Sequence, residues 1–359
     1  MKIEKKFFLV CQLLFVFSLS TTALSQPWKA AWIVPKNVKS DTNTWVCFRK
    51  KIKLSTAPKN LTAKIAVDSK YWLLINGELV VFEGGLKRGP NPNDTYYDEV
   101  EIGKYLKKGD NVISILVWYW GKDGFSHKSS GKTGLIFEAS GPSVNILTDM
   151  SWKATKLAAY SNTGSPFPNF RLPETNIRYD ANKEPGNFWT YDYDDDIWDY
   201  AQEFCTPPCS PWNNLVKRPI PLFKFTGLKE YINQNTFPKI TNGDPIIARL
   251  PYNAQVTPYF KIKAAAGLKL SIYTDDYFAA GNKDYATVRD EYITKEGVQE
   301  FEFLGWMNGH AVHYQFPAGV EIISLKYRES GYKLNQDGSF LCNEEFFNKL
   351  WSKAQRTLY

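Results

Sequence analysis

The stretch that decides the fold is YWLLINGELVVF at residues 71–82, two apolar runs joined by Asn76 and Gly77. Both central residues of a tight hairpin turn need positive φ, and the Asn-Gly pair adopts it at low steric cost. Apolar runs on either side of such a turn predict a β-hairpin. We therefore predict a β-hairpin at residues 71–82, within the stretch of residues 71–137 around which the chain is organised.

Further short apolar runs follow this hairpin at close spacing. They lie at residues 96–102, 111–120 and 134–137, and polar or turn-forming residues separate them. Short strands at this spacing are typical of an antiparallel β-sandwich. The polar loops at residues 83–94 and 121–132 would then gather at the ends of the sandwich, where binding residues usually lie.

A second β-rich segment covers residues 246–332, with apolar runs at 259–264, 268–274, 286–293, 300–303, 313–316 and 320–328. Turn dipeptides separate these runs, and we interpret Asn308-Gly309 as one of them, in a hairpin that carries His310 and His313. The predicted fold class is mainly β. It comprises two antiparallel β-sandwich domains of the jelly-roll, galactose-binding-like kind, followed by one C-terminal helix.

The pattern of that helix covers residues 343–358. Asn343 can cap its N-terminus, and Glu344 and Glu345 suit its first turn because their charge opposes the helix dipole. Apolar residues then recur at helical spacing: Phe346, Phe347, Leu350, Trp351, Ala354 and Leu358. Such a stripe needs something to pack against. We expect a helical domain outside this chain; the alternative is that the helix docks on a sandwich.

The first 25 residues have the pattern of a secretory signal peptide, with three lysines, an apolar segment at 7–19 and small residues before Gln26. We therefore predict an exported protein, periplasmic or extracellular, without membrane insertion after signal cleavage. The formal net charge of +7 is spread along the chain, which argues against a nucleic-acid partner. Aromatic residues make up 16% of the chain, a content that fits sandwich cores and carbohydrate recognition alike.

Four of the five cysteines follow the signal peptide, and an even number permits disulfides in an oxidising compartment. We predict a bridge between Cys205 and Cys209, with free buried thiols as the alternative. The close spacing that a zinc site needs does not recur elsewhere.

We predict no cofactor and no metal site, while a structural calcium ion at a sandwich rim stays an open alternative without a location. Asp192, Asp194, Asp196 and Glu203 mimic the spacing of an EF-hand loop. The position that requires glycine is Ile197, so we interpret the match as accidental.

Several short segments carry a further signal: KRGP at 87–90, YYD at 96–98, GKDGFSH at 121–127, TDMSWK at 148–153, YDA at 179–181, DDIW at 195–198 and FLCN at 340–343. In this order they resemble the bacterial α-L-rhamnosidases of glycoside hydrolase family 78, over essentially the whole chain after the signal peptide. The resemblance implies two β-sandwich domains ahead of an (α/α)6 barrel. It also implies inverting hydrolysis of terminal α-L-rhamnose by acids of that barrel.

We divide the chain into four segments. Residues 1–25 are a signal peptide, and residues 26–225 are a first sandwich with an irregular insertion at about 150–210. Residues 226–335 are a second sandwich, and the resemblance implies that residues 336–359 are the start of a truncated helical catalytic domain. We assign no catalytic residue and predict that the chain alone is inactive. Its predicted role is carbohydrate binding and support of the barrel. The partners are a rhamnose-containing carbohydrate and the missing C-terminal helical domain. The alternative is a free-standing carbohydrate-binding or adhesive protein.

The acidic residues support the same view. Inverting hydrolysis needs two carboxyl groups roughly 6.5–9.5 Å apart, one of them with a raised pKa. The pairs in this chain are sequence neighbours: Asp98-Glu99, Asp194-Asp195-Asp196, Asp275-Asp276 and Glu344-Glu345. Neighbours on a strand point to opposite faces, and exposed loop acids keep ordinary pKa values. These patterns do not predict a catalytic pair.

The candidate carbohydrate-binding residues lie in the two loops of the first sandwich and at the end of the strand before the second loop: Arg88, Asn93, Asp94, Trp118, Trp120, Asp123 and His127. Polar side chains can bond sugar hydroxyls while an aromatic ring packs on the apolar face of the sugar. Three alternatives stay open. Trp118 and Trp120 could fill the core, His127 could bond within its loop, and the loops could seal an interface with the barrel.

Overall fold

The structure is a computed structural model, and it describes residues 27–85, 89, 91–124, 127–164, 176–275, 288–333 and 337–358. The predicted signal peptide and Arg88 lie outside the described residues. Within them the chain forms β-strands, three short 3-10 helices and one α-helix.

The strands in chain order are β1 Trp32–Val34, β2 Thr44–Leu54, β3 Thr62–Asp68, β4 Lys70–Ile75, β5 Glu78–Gly85, β6 Thr95–Glu101, β7 Gly109–Tyr119, β8 Gly134–Gly141, β9 Val144–Leu147, β10 Lys153–Lys156, β11 Tyr160–Asn162, β12 Ile177–Asp180, β13 Asp199–Tyr200, β14 Gln202–Cys205, β15 Leu215–Lys217, β16 Lys229–Glu230, β17 Ile246–Ala264, β18 Lys269–Thr274, β19 Asp290–Ile293, β20 Gly297–Glu302, β21 Met307–Gln315 and β22 Glu321–Glu329. The 3-10 helices are Gly103–Tyr105, Ala181–Lys183 and Gln234–Thr236, and helix α1 is Glu345–Leu358. The mainly β fold class is confirmed.

Two sheets form the first sandwich. Among the described strands, one sheet has the order β14-β1-β8-β3-β6-β15 with β9 beside β8, and the other has the order β13-β10-β2-β7-β4-β5. A core of mostly aliphatic side chains lies between them. The predicted hairpin is confirmed, because β4 and β5 pair antiparallel and the turn residues Asn76 and Gly77 have φ of 53° and 86°.

A third sheet, of order β11-β12-β19-β18-β21-β17-β22-β16 with β20 beside β17, holds the second β-rich segment. Its longest strand, β17, pairs with β21 through its first part and with β22 and β20 through its second part. The sequence prediction found only the second part. Pro251 and Pro258 interrupt the pattern, and proline is rare inside strands because it cannot donate a ladder hydrogen bond. Pro251 lies where the pairing with β21 is irregular, between Arg249 and Ala254.

Three details differ from the sequence prediction. Strands β11 and β12, predicted as part of an irregular insertion in the first sandwich, pair with the third sheet through β19. The pairs β12–β19 and β6–β15 are parallel, because these strands meet through long connections rather than through hairpins. Asn308-Gly309 lies inside β21 opposite Gln255 and Ala254 of β17, and is not a turn.

The second face of the β13-β10-β2-β7-β4-β5 sheet packs against the third sheet. Side chains alternate between the two faces of a strand, so that Val46, Ile115 and Val117 enter the sandwich core. Their neighbours point the other way, into a cluster shared with the third sheet. We call the four tryptophans on this face, Trp45, Trp72, Trp118 and Trp120, the aromatic seam.

Helix α1 follows the predicted pattern, but its apolar stripe is exposed. No residue of this helix is buried, and Phe346, Phe347, Leu350 and Leu358 are each at least half exposed. The alternative in which the helix buries this stripe on a sandwich is therefore wrong for the described chain. In that same part of the chain, no helix has the length and hydropathy needed to cross a bilayer.

Candidate functional site

The predicted site residues begin with two tryptophans that the structure places in the core. Trp118 is 1% exposed and Trp120 is 2% exposed. The ring of Trp118 stacks on Trp45 at 4.8 Å, and its Nε1 donates to Asn43 Oδ1 at 2.7 Å. A ring buried this deeply presents no face to a sugar. Their prediction as carbohydrate contacts is corrected: both fill the seam, because strand alternation turns them towards the third sheet.

His127 lies against this seam, and it is buried as well. Its ring meets Trp120 edge-on at 4.7 Å, and its Nε2 lies 3.7 Å from Asp68 Oδ1. Asp68 also accepts hydrogen bonds from the backbone N and the hydroxyl of Ser130, at 2.8 and 2.6 Å. The loop after β7 is thus tied to the end of β3, and the His127 side chain is buried within the protein rather than facing solvent.

Asp94 holds its own loop in place. Its Oδ1 accepts from the backbone N and the Nδ2 of Asn214, at 3.2 and 3.1 Å, and its Oδ2 accepts from Asn91 Nδ2 at 2.8 Å. The neighbouring Asn93 is exposed, and its carbonyl accepts from Asn213 Nδ2 at 2.7 Å. The geometry makes Asp94 a structural anchor, while the side chain of Asn93 reaches solvent.

Asp123 is exposed on the loop after β7. Its Oδ2 lies 2.5 Å from Lys128 Nζ, and its Oδ1 accepts from the backbone N of Ser129 at 2.9 Å. The hydrogen bond from Lys128, the largest influence, holds the pKa of the Asp123 carboxyl below its usual value. Asp123 is therefore an exposed anion.

The structure joins Cys205 and Cys209 in a disulfide, while Cys47 and Cys342 are free. No group of three or more potential metal ligands is found among the described residues.

Sequence reasoning missed a set of buried charges at the β4–β5 hairpin. Lys70 Nζ lies 2.5 Å from Glu83 Oε1, and the ammonium group sits over the rings of Trp120 and Trp306 at 5.1 and 5.2 Å. Trp306 precedes β21, so this contact joins the first sandwich to the third sheet. The signal was present as a lysine and a glutamate inside apolar strands, which are rarely buried without a partner.

A second buried pair lies beside it. Arg218 Nε is 2.6 Å from Asp98 Oδ1, and Tyr71 Oη donates to Asp98 Oδ2 at 2.9 Å. Burial, and secondarily the charge of Asp98, raises the pKa of the Tyr71 hydroxyl. The neighbour of Asp98, Glu99, is exposed and pairs with Lys217. The prediction that adjacent strand acids point to opposite faces is confirmed at this pair.

One described carboxyl group has a strongly raised pKa, as a general acid needs. Burial raises the pKa of Asp290 well above its usual value. Its Oδ1 accepts from the backbone N of Ile177 at 3.3 Å, and the side chain is sealed behind β12. A substrate cannot reach it there. The predicted acidic cluster is structural too: Asp195 is buried and pairs with Arg49 and Lys153.

A cleft opens between the aromatic seam and the third sheet. Its volume is about 560 Å³, within the range of roughly 300–1,000 Å³ that is typical of small-molecule sites. Aromatic and aliphatic side chains form its floor and walls, among them Trp72, Trp189 and Phe301. Glu184, Glu300, Glu302 and Arg328 bring charge to its lining. The sequence analysis did not predict this cleft, because its walls come from segments that are far apart along the chain.

Curated proteins that are similar to this chain include α-L-rhamnosidases. No model of a known protein family matches the chain. A curated α-L-rhamnosidase of Formosa agariphila is 24% identical over 342 residues, which cover 87% of this chain and 34% of that protein. This chain spans about a third of the length of the curated relatives that it matches.

Solved structures show the same fold. The family 78 rhamnosidase of Bacillus sp. GL1 matches with a TM-score of 0.76 and 16% identity, over 91% of this chain and 57% of that one. The α-L-rhamnosidase of Dictyoglomus thermophilum matches with a TM-score of 0.65 and 21% identity, over 92% of this chain and 38% of that one. The predicted resemblance is thereby confirmed: in sequence and fold, this chain resembles a part of the α-L-rhamnosidases of glycoside hydrolase family 78.

Proposed function

We propose that this chain is the non-catalytic β-sandwich part of an exported α-L-rhamnosidase-like glycoside hydrolase. The whole enzyme would remove terminal α-L-rhamnose from glycans or glycosides with inversion. The observation that carries the proposal is the likeness to curated α-L-rhamnosidases across 87% of this chain. A rhamnose-containing carbohydrate is accordingly the substrate class.

The described acidic residues support a non-catalytic role. Asp98 and Asp195 are committed to buried ion pairs, and Asp290 is sealed in the core with a raised pKa. At the cleft, Glu302 makes a bidentate ion pair with Arg328. A hydrogen bond from Tyr259 lowers the pKa of Glu300. A lowered pKa suits an ionised acceptor and not a proton donor to a leaving sugar.

The exposed stripe of α1 supports a second part of the proposal. Apolar residues on one face of a helix are stabilised when a neighbour covers them. We propose that a helical catalytic domain of the same enzyme covers Phe347, Leu350 and Trp351. The first sandwich and the third sheet then support that domain and hold it beside their own carbohydrate contacts.

Among the predicted carbohydrate contacts that are described, Asn93 and Asp123 are the ones that reach solvent. Sugar titration of the chain with Asp123→Ala tests this part. We expect weaker binding, because the substitution removes a charged acceptor. An unchanged affinity would remove Asp123 from the proposal.

Hydrolysis tests the proposal as a whole. The purified chain is expected to release no 4-nitrophenol from 4-nitrophenyl α-L-rhamnopyranoside, whereas the chain joined to the product of the downstream coding sequence is expected to release it. Measurable release by the chain alone would contradict the non-catalytic role. A stop codon directly after Tyr359 would contradict the proposal and favour a free-standing carbohydrate-binding or adhesive protein.

Export is tested separately. The N-terminus of the mature protein is expected at Gln26, read by mass spectrometry of protein recovered from the periplasm or the culture medium. Retention of the first 25 residues in soluble cytoplasmic protein would contradict export.

A further inference from the structure

The cleft between the aromatic seam and the third sheet has one aromatic wall held rigidly in place. The backbone carbonyls of Phe188 and Thr190 accept hydrogen bonds from the buried Arg49, at 3.0 and 2.6 Å. Trp189 lies between these two anchored residues and lines the cleft. Its half-buried ring packs edge-on against Phe188 at 5.0 Å. The ring is therefore positioned before any ligand arrives, which lowers the entropic penalty of binding.

The opposite wall carries polar groups with hydrogen-bonding capacity left over. A carboxylate has about four acceptor sites. The described contacts of Glu300, from Tyr259 Oη at 2.9 Å and Lys261 Nζ at 3.3 Å, both fall on its Oε2. Its Oε1 is thus able to accept further bonds. Glu300 is exposed, so these acceptor sites are accessible from solvent.

Arg328 and Glu302 form the fixed part of the same wall. The guanidinium donates to both carboxylate oxygens of Glu302 at 2.8 Å, and Thr257 Oγ1 donates to Oε1 at 2.7 Å. Arg328 also donates to the carbonyl of Thr226, and its guanidinium lies 4.1 Å from the ring centroid of Phe225. Arg has five N–H donors, and three are used here. The remaining donors and acceptors can bond hydroxyl groups.

The charge of this wall sets the class of ligand. Each of the three carboxylates that line the cleft is paired with a cation: Glu184 with Lys295, Glu300 with Lys261, and Glu302 with Arg328. The local charge is therefore balanced and offers an anion no net attraction. Hydroxyl groups donate to carboxylates without bringing charge, and the C–H face of a sugar packs on an aromatic ring. We propose that this cleft binds a neutral saccharide, whose ring packs on Trp189 and whose hydroxyls donate to Glu300 and Glu302.

This inference goes beyond the proposed function, because it assigns a binding site apart from the two predicted loops and from any catalytic domain. It is tested on the whole chain by isothermal titration at pH 7. The probes are L-rhamnose, methyl α-L-rhamnopyranoside, a panel of neutral di- and trisaccharides, digalacturonate and glucosamine. At least one neutral saccharide is expected to bind saturably, and digalacturonate is expected not to bind.

Two substitutions locate the binding. Trp189→Ala is expected to weaken the affinity for that saccharide by about tenfold, since it removes the stacking surface. Glu300→Gln is expected to weaken it roughly three- to tenfold, since it replaces a charged acceptor. The matched controls are Tyr200→Ala, an exposed aromatic residue on β13, and Glu321→Gln, an exposed acid on β22. Both controls are expected to bind like the unaltered chain.

Three results would overturn the inference: no binding of any neutral saccharide, unchanged affinity in Trp189→Ala, or binding of glucosamine or digalacturonate in place of the neutral probes. Circular dichroism of each variant shows whether it is folded, and Glu300→Gln at an exposed position keeps the test valid if Trp189→Ala unfolds. Failure here leaves the proposed function standing, because that rests on the rhamnosidase likeness and is tested by hydrolysis.

Discussion

The two faces of the β13-β10-β2-β7-β4-β5 sheet are built from the same strands but pack in different ways. One face presents Val46, Ile115 and Val117 to a closed, mainly aliphatic core. The other presents the aromatic seam to the third sheet. Aliphatic side chains interdigitate and leave little space. Large flat rings stack instead, as Trp45 does on Tyr160 at 4.1 Å, and the stacked rings of Trp72 and Tyr160 also line the cleft.

This difference shows what each face contributes. The aliphatic face stabilises the sandwich, whereas the aromatic face joins two β-units and leaves a lined cavity at the junction. Buried charges also lie on the aromatic side, where Arg49 and Lys70 lie within or beside the seam. Charged groups at such a junction fix its geometry, because a buried charge is tolerated only with its partner in place.

The largest expected effect comes from Arg49→Ala. The side chain is buried, pairs with Asp195 and donates to the carbonyls of Phe188 and Thr190. Removing one partner of a buried pair leaves the other uncompensated, so the free energy of unfolding should fall by about 4–5 kcal/mol in urea denaturation. The control is Lys39→Ala, which removes the exposed pair with Asp41 and should change it by less than about 1 kcal/mol. Equal effects of the two would contradict this account of the junction.

A somewhat smaller effect is expected for Trp118→Ala. The substitution removes the ring that stacks on Trp45 and the hydrogen bond to Asn43. The loss should be about 3–4 kcal/mol, from transfer and cavity terms together. On the aliphatic face, Ile115→Val removes one methylene and should lose only about 1 kcal/mol. Hydrogen exchange should show that the amides of the third sheet exchange faster in Trp118→Ala but not in Ile115→Val. Equal exchange rates in the two variants would mean that the aromatic seam does not couple the first sandwich to the third sheet.

Asp290 gives the junction a dependence on pH. Burial raises its pKa in the folded state, so between the unfolded pKa and this raised value the folded state keeps a proton that the unfolded state has lost. The stabilisation that Asp290 contributes is fully present below its unfolded pKa of about 3.9. As pH rises above that value, the free energy of unfolding falls by up to about 1.4 kcal/mol per pH unit. Asp290→Asn should remove that slope, as measured by urea denaturation at several pH values. The exposed Asp41→Asn should keep it, and a slope that persists in Asp290→Asn would assign the effect to another group.

Sequence patterns predicted the features that are local. The hairpin at Asn76-Gly77 depends on the φ preferences of two adjacent residues, and the structure confirms it. The same dipeptide at Asn308-Gly309 misled the prediction, because its glycine has a tertiary cause. A Cβ at Gly309 would lie 2.5 Å from Asp275 Oδ1 and 2.8 Å from the Cβ of Thr274. Glycine there allows a close approach between neighbouring strands.

The candidate site was harder to predict for the same reason. Aromatic residues at 118 and 120 fit a binding loop as well as a core, and only the position of the third sheet decides between the two. The cleft brings together Trp72, Trp189 and Glu300. Each of these residues is more than one hundred positions from the next along the chain. Periodicity within one segment carries no signal of such a contact, because the register between distant strands is set by packing across the whole fold.

The smallest expected effect is that of Leu350→Gln. This residue lies on a third kind of face, the apolar stripe of α1, which the described chain leaves exposed. Leu350 is 50% exposed on α1, so the substitution should change the unfolding free energy of this chain by no more than about 0.5 kcal/mol. A buried leucine would lose about 2–5 kcal/mol on truncation, so a loss of that size would show that the stripe packs on a sandwich in solution. In the chain joined to a helical catalytic domain, the same substitution should destabilise the joined protein measurably, because the stripe is then covered. Denaturation of the chain alone and of the joined protein, each with and without Leu350→Gln, therefore shows whether a catalytic domain covers the stripe of α1 or whether the stripe stays exposed.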